Sequence, residues 1–401
     1  MREYLLVFLV AAAVTYLLTV VAREIALRTG AVAAVRDRDV HAEPIPYLGG
    51  IAMLGGLVAA YVVARELPFL SRGGEDVLRP VGTVLVAGAL ICAVGVLDDV
   101  FELDALTKFG GQVLAAGLLA ALGVQYVFLP QPGGGTFSLD PAQGGLLTVL
   151  VVVATVNAVN FVDGLDGLAA GVVGVGAVAF FLFCYQLANV NGQTLAVTGA
   201  ILCAALAGAC AGFLPHNFHP ARLFMGDSGS MLIGLVLSAS AVTLTGQFPP
   251  GDLTQGAGGA EASLLPTFLP VLLPVSILIV PLVDLVLAVV RRTRAGRSPF
   301  APDKLHLHHR LLEIGHSHRR AVLIMWTWAA LVGFGSVLAA LYTGTALWLA
   351  LSAMVVLTLA VTFLLPVVRG PRLLDEDDTP APAVPREPVP GDPPHGSPGR
   401  L

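Results

Sequence analysis

The run Asn157-Ala158-Val159-Asn160-Phe161-Val162-Asp163-Gly164-Leu165-Asp166-Gly167 sets two amides and two carboxylates at the end of a long apolar stretch. A charged side chain at hydrocarbon depth costs roughly 3 kcal/mol or more, so such groups serve a substrate, an ion or a partner rather than packing. Asn157, Asn160 and Asp163 follow one another at spacings of three, which puts them on one face of a helix. Gly164 and Gly167 come directly after the aspartates and let backbone amides approach a ligand closely. Capping of helix ends would account for one or two of these residues, but not for the whole set.

Three further runs carry chemistry. Asp98-Asp99 closes another apolar segment and is followed by Lys108. Paired carboxylates there supply a metal ligand, a base or both, with a cation to balance phosphate charge; a solvated helix end is the competing reading. Between Phe213 and Ser230 lie His216, Asn217, His219, Arg222, Phe224 and Asp227. Asp227 stands where a new helix begins, and Ser228, Gly229 and Ser230 are expected to present free backbone amides to an anion or a cation-bridged phosphate. Simple N-capping by Asp227 or Ser228 is the alternative. The last run follows Arg291-Arg292 and holds Asp303-Lys304-Leu305-His306-Leu307-His308-His309-Arg310. Three histidines in four positions invite zinc, yet no cysteine stands near, and imidazoles also donate to phosphate or sugar oxygens. His316 and His318 read as solvated surface.

The elements that position these residues follow from composition. The chain has 401 residues, 56% hydrophobic and 12% charged, with mean hydropathy +0.82. Those values exclude a soluble globular domain and predict an all-α polytopic integral membrane protein. About eleven apolar segments approach the ~20 residues of a spanning helix: residues 4–21, 48–64, 81–97, 109–129, 145–162, 168–188, 194–214, 229–246, 265–290, 321–342 and 346–368. The first is too long for a signal-peptide core and lacks a clear cleavage site, so it reads as a retained anchor. Cys92, Cys184, Cys203 and Cys210 all fall inside apolar segments, where a free thiol behaves as a small hydrophobe. The segment at 265–290 holds Pro266, Pro270, Pro274, Pro281 and Asp284 and should be kinked, either opening a groove or packing against neighbours.

Counting cations by loop sets the topology. If the loop holding Arg23, Arg28, Arg36 and Arg38 is cytoplasmic, that side carries 18 of the 22 Lys and Arg, leaving Arg2, Arg65, Arg72 and Arg79 for the other. The positive-inside rule then puts the N-terminus outside and the C-terminus in the cytoplasm. All the polar runs fall on that same cytoplasmic face, where they can build one site. Residues 1–368 form the membrane domain. Residues 369–401, with nine prolines and Asp375-Glu376-Asp377-Asp378, read as a disordered acidic cytoplasmic tail.

On these motifs, in their order, the chain resembles the polyprenyl-phosphate N-acetylhexosamine-1-phosphate transferase family (glycosyltransferase family 4) over nearly all of residues 1–368. The Asp303 to Arg310 run is similar to the WecA/TagO-like branch that takes UDP-GlcNAc, whereas the pentapeptide translocases carry a consecutive histidine triplet. The resemblance implies a multi-pass enzyme of the bacterial plasma membrane with its site facing the cytoplasm. It implies transfer of GlcNAc-1-phosphate from UDP-GlcNAc to a polyprenyl phosphate, with release of UMP. The cofactor implied is Mg2+, with Mn2+ as a substitute, and no nucleic-acid partner; a homodimer stays open. Asn160 and Asp227 match the metal positions, and Asp98, Asp99 and Asp227 the catalytic carboxylates. Lys108 matches a phosphate-contacting residue, while Asp163, Gly164, Leu165, Asp166, Asn217 and Phe224 match positions around the uridine. His306, His308 and His309 would face pyrophosphate or sugar. The first loop departs from the family at Glu43 and Tyr47, where many members have Lys and Arg, so no phosphate contact carries over there.

Overall fold

The structure is a computed structural model, and it describes residues 1–30, 45–130, 136–190, 194, 196–245, 293–294, 316–342 and 344–364. Ten α-helices lie within these residues: α1 (Arg2–Thr29), α2 (Gly49–Glu66), α3 (Gly74–Phe101), α4 (Ala105–Ala121), α5 (Pro141–Val162), α6 (Leu168–Val190), α7 (Ala196–Asn217), α8 (Gly226–Thr245), α9 (His318–Leu341) and α10 (Thr345–Leu364). Among the described residues, nine of them are long and apolar enough to cross a membrane. The chain is therefore a mostly helical polytopic membrane protein.

Local chemistry sets the ends. Asp140 caps α5 by accepting from the amides of Ala142 and Gln143, both at 2.9 Å, while Gln143 Oε1 accepts from the Asp140 amide at 3.2 Å and Pro141 opens the helix. Asp104 caps α4 through the Thr107 amide at 2.7 Å, and Ser317 caps α9 through that of Arg320. Inside the bundle, hydroxyls turn back on their own helix, as Ser238 Oγ does to the Gly234 carbonyl (2.9 Å) and Ser240 Oγ to that of Val236 (2.7 Å). With no water at that depth, a hydroxyl is stabilised by such a partner on its own helix.

α8 is the centre of the bundle. Of its spanning window 94% is buried, and 89% of that of α7, against 28% for α1 and 11% for α10. Helices α2, α3, α5, α6 and α7 pack round α8; α1 lies on α2 and α7, α4 on α3 and α5, and α9 joins α6 to α10.

One expectation changes and others lie beyond what the structure describes. The apolar segment at 109–129 is a shorter helix, 17 residues long: Gly123 takes φ 97 and the chain enters a two-stranded antiparallel ribbon, β1 (Phe128–Pro130) with β2 (Thr136–Ser138). Apolarity continues there, but the backbone turns at the glycine. The segment at 265–290, with its prolines, Asp284 and Arg291-Arg292, lies outside the described residues, as do His306, His308, His309 and the tail.

Candidate active site

The C-terminal ends of α3 and α5 and the N-terminal ends of α4 and α8 meet at one end of the bundle, and the acids, amides and lysine of the sequence motifs meet with them. Asp227, second residue of α8, is the hub. Its Oδ1 accepts from Asn160 Nδ2 of α5 at 2.5 Å, and its Oδ2 is paired with Lys108 Nζ of α4. Lys108 also pairs with Asp98 Oδ2 at 2.9 Å, while Asp98 Oδ1 accepts from the Leu103 amide at 2.9 Å. Asn160 Nδ2 reaches Ser230 Oγ at 2.9 Å as well. The side chains of Lys108, Asp98 and Asp227 stay 21%, 12% and 25% exposed, so the cluster is poorly solvated yet open to a small ligand.

The neighbouring carboxylates do different things. Asp99 accepts from the backbone amides of Asp227 (2.8 Å) and Ser228 (3.2 Å), so a residue of α3 caps the first turn of α8. This corrects the expectation of free amides after Asp227: the Ser228 amide is taken by Asp99 and that of Gly229 by the Met225 carbonyl at 3.2 Å. Glycines make the approach possible. Gly226 has φ +68, and a β-carbon on it would meet the Asp99 carboxylate; β-carbons on Gly95 or Gly50 would meet the Ser228–Gly229 backbone.

A second layer holds the loops around the hub. Phe224 exchanges backbone bonds with Pro46 and Gly49, at 2.9 and 3.1 Å, and its ring lies 6.0 Å from that of Tyr47. Asn217 Oδ1 accepts from the Gly167 amide at 3.0 Å and its Nδ2 donates to the Leu223 carbonyl at 3.1 Å. The Gly164 amide is bonded to the Val162 carbonyl at 2.8 Å and Leu165 is buried in the core, so neither glycine of this run offers a spare amide. Asp166, buried, pairs through Oδ2 with His219 Nδ1 at 2.8 Å and with the Ala221 amide at 3.1 Å. Asp163 ends α5, and burial together with the nearby charges of Asp227, Asp99 and Asp166 pushes its carboxyl up to about 8.

The sequence named His219, His316, His318 and Asn157 but not their partners. His219 holds Asp166, and its ring stacks on that of His318 at 4.1 Å. His316 and His318, expected on the surface, are buried, His316 against the Thr362 carbonyl of α10 at 3.0 Å and His318 against the His219 ring. One turn deeper than Asn160, Asn157 donates to Gln112 Oε1 at 2.6 Å, so it ties α5 to α4 instead of joining the hub. None of these could be found without knowing which helices are neighbours.

Among the described residues, the carboxyl groups of Asp98, Asp99, Asp163 and Asp227 gather around one ammonium, that of Lys108. That imbalance, made of hard oxygen donors, fits a divalent cation of the Mg2+ type. The arrangement can hold a metal-bridged diphosphate with an ammonium alongside.

Fold and cluster together define a polytopic membrane protein with a cluster of hard oxygen donors at an end of its helix bundle. The family model described as Glycosyl transferase family 4 matches residues 81–245, which run from α3 through α8. A decaprenyl-phosphate N-acetylglucosaminephosphotransferase of Mycobacterium tuberculosis is 47% identical, covering 84% of this chain and 82% of the relative. Its counterpart from Mycolicibacterium smegmatis is 46% identical, covering 92% and 90%. A Bacillus subtilis protein named "Probable undecaprenyl-phosphate N-acetylglucosaminyl 1-phosphate transferase" is 31% identical, covering 88% of each. The chain belongs to glycosyltransferase family 4.

Proposed function

We propose that this chain transfers GlcNAc-1-phosphate from UDP-GlcNAc to a polyprenyl phosphate, decaprenyl or undecaprenyl, releasing UMP and leaving a lipid-linked pyrophosphate sugar. The relatives' names support the reaction class and the lipid acceptor. The observation that carries the reading at the level of atoms is Asp227 clasped by Lys108 and Asn160 at a shared helix end. On this reading residues 1–368 hold the activity, the site faces the cytoplasm of a bacterial plasma membrane, and the N-terminus lies outside.

Asp227 and the carbonyl oxygen of Asn160 would hold Mg2+, with Asp98 or Asp163 at hand. When bound, that ion supplies Lewis-acid stabilisation of the diphosphate. Lys108 holds a phosphate oxygen by charge, and Asp98 keeps the ammonium in place. The acceptor's phosphate, second pKa near 6, is already largely ionised at neutral pH and needs no strong base. Its oxygen attacks the β-phosphorus of the donor in line; the new P–O bond forms as the bond to the UMP oxygen breaks, and UMP leaves with that electron pair. Asp163, Asp166, Asn217 and Phe224, with the Gly164-Leu165 backbone, shape the nucleotide pocket. His306, His308 and His309 contact pyrophosphate or sugar.

Both oxygens of Asp227 are engaged, which favours an orienting role over attack by Asp227 itself. Donor made chiral at the β-phosphorus separates the two: a single displacement inverts, a covalent aspartyl phosphate retains. The central test is UMP release by the purified chain given UDP-GlcNAc, decaprenyl phosphate and Mg2+. No release, or release unaffected by Asp227→Ala, refutes the proposal. Faster turnover with UDP-MurNAc-pentapeptide would move the donor.

A further inference from the structure

Away from the Asp227 cluster, the last turns of α1 face the end of α7 and the loop after it across a cavity of about 760 Å3, lined by Val20, Val21, Arg23, Arg28, His216 and Arg222 among others. Its two walls differ in kind. Val20 and Val21, 54% and 51% exposed, continue the outward apolar face of α1 that includes Leu17 at 63%; this is surface that faces acyl chains in a bilayer. The rest presents three guanidinium groups against one carboxylate, Glu24, which is bonded to Arg28 at 2.8 Å.

Arg23 Nε donates to the Arg222 carbonyl at 3.2 Å, which fixes its fork, and among the described residues no carboxylate pairs with Arg23 or Arg222. Beside them the His216 ring packs on Tyr16 at 4.6 Å, with its Nε2 buried and without a hydrogen-bond partner. Guanidinium forks match phosphate oxygens bidentately, and a basic pocket at a bundle end beside lipid-facing surface suits a charged headgroup that carries its own apolar tail. None of the residues lining this cavity belongs to the hub around Asp227.

We propose that this cavity binds the phosphate headgroup of an anionic membrane lipid, seated between Arg23, Arg28 and Arg222 with its acyl chains along Leu17, Val20 and Val21. A soluble phosphate shares the headgroup chemistry but makes no use of the apolar wall. The site stands independently of the transferase reading.

The test uses full-length protein in phosphatidylcholine nanodiscs, titrated with phosphatidylglycerol and followed by native mass spectrometry and thermal melting. The expected result is retained phosphatidylglycerol and a raised melting temperature, with affinity falling about tenfold or more in Arg23→Gln/Arg222→Gln. Both residues are exposed, so the double variant should fold; unchanged melting in pure phosphatidylcholine checks that it does. Arg65→Gln, whose guanidinium lies 5.9 Å from the Tyr61 ring, is the matched charge control and should leave binding intact. Equal retention of the two lipids, or equal binding by the double variant, overturns the proposal. Inorganic phosphate displacing phosphatidylglycerol at comparable concentration overturns the lipid assignment in favour of a soluble anion.

Discussion

Among the described residues Lys108 is the one ammonium set among four acids, and the residue-scale predictions turn on that ratio. Lys108→Met should lower UMP release by about two orders of magnitude or more, as expected on losing a preorganised cationic donor. Lys108→Arg should restore little, since a planar fork cannot replace a point charge held between Asp98 and Asp227. Asp163 gives a pH test. Its carboxyl sits at about 8 in the folded chain against an ordinary 3.8, so between those values the folded state binds more protons than the unfolded one. Stability in metal-free detergent should therefore fall as pH rises from about 4 to about 8 and level off above. Asp163→Asn should flatten that slope, and a melting series over pH measures it. The acids themselves were legible from residue type and spacing. Their division of labour was not: Asp98 and Asp99 are neighbours on one helix, pointing about 100° apart, and only the packing of α8 decides that Asp99 caps while Asp98 faces Lys108. His219 gave no signal because its partner Asp166 lies 53 residues away.

At the scale of elements, α8 is seated by the glycines it touches. Gly95→Ala would drive a methyl into the Ser228 backbone, and overpacking of this kind costs about 1–3 kcal/mol. The expected outcome is a lower melting temperature together with reduced UMP release, since the displaced turn carries Asp227. Gly117→Ala on α4 meets nothing within 4 Å and should be neutral or stabilising by up to about 1 kcal/mol, which makes it the control. Apolar windows found the helices and missed their ends for a physical reason. The window that opened at residue 81 left out the start of α3 at Gly74, because Glu75 and Asp76 stop the apolar pattern but not the helix, whose N-terminus they favour. The window at 109–129 ran past α4 because Leu122, Val124 and Val127 kept it apolar after Gly123 had turned the chain.

For the whole molecule, loop-by-loop charge anticipated that the polar runs share one end, and those within the described residues do. The sidedness itself is open to a direct measurement. Cys92, Cys184, Cys203 and Cys210 are all buried, so an introduced thiol reports alone. A membrane-impermeant maleimide should label Asp76→Cys in intact cells and Glu102→Cys only once the membrane is opened; the reverse pattern would invert the proposed orientation. Removal of residues 369–401 should leave UMP release within about twofold, because a Pro-rich acidic segment has no apolar surface with which to support the bundle. The cap that Asp99 places on α8 has a further, mechanical consequence. Two hydrogen bonds and the close contact of Gly95 weld the end of α3 to the turn bearing Asp227, making the pair one fixed jaw. The gape needed to admit a long isoprenoid chain and let UMP go must therefore come from segments that are not part of that joint.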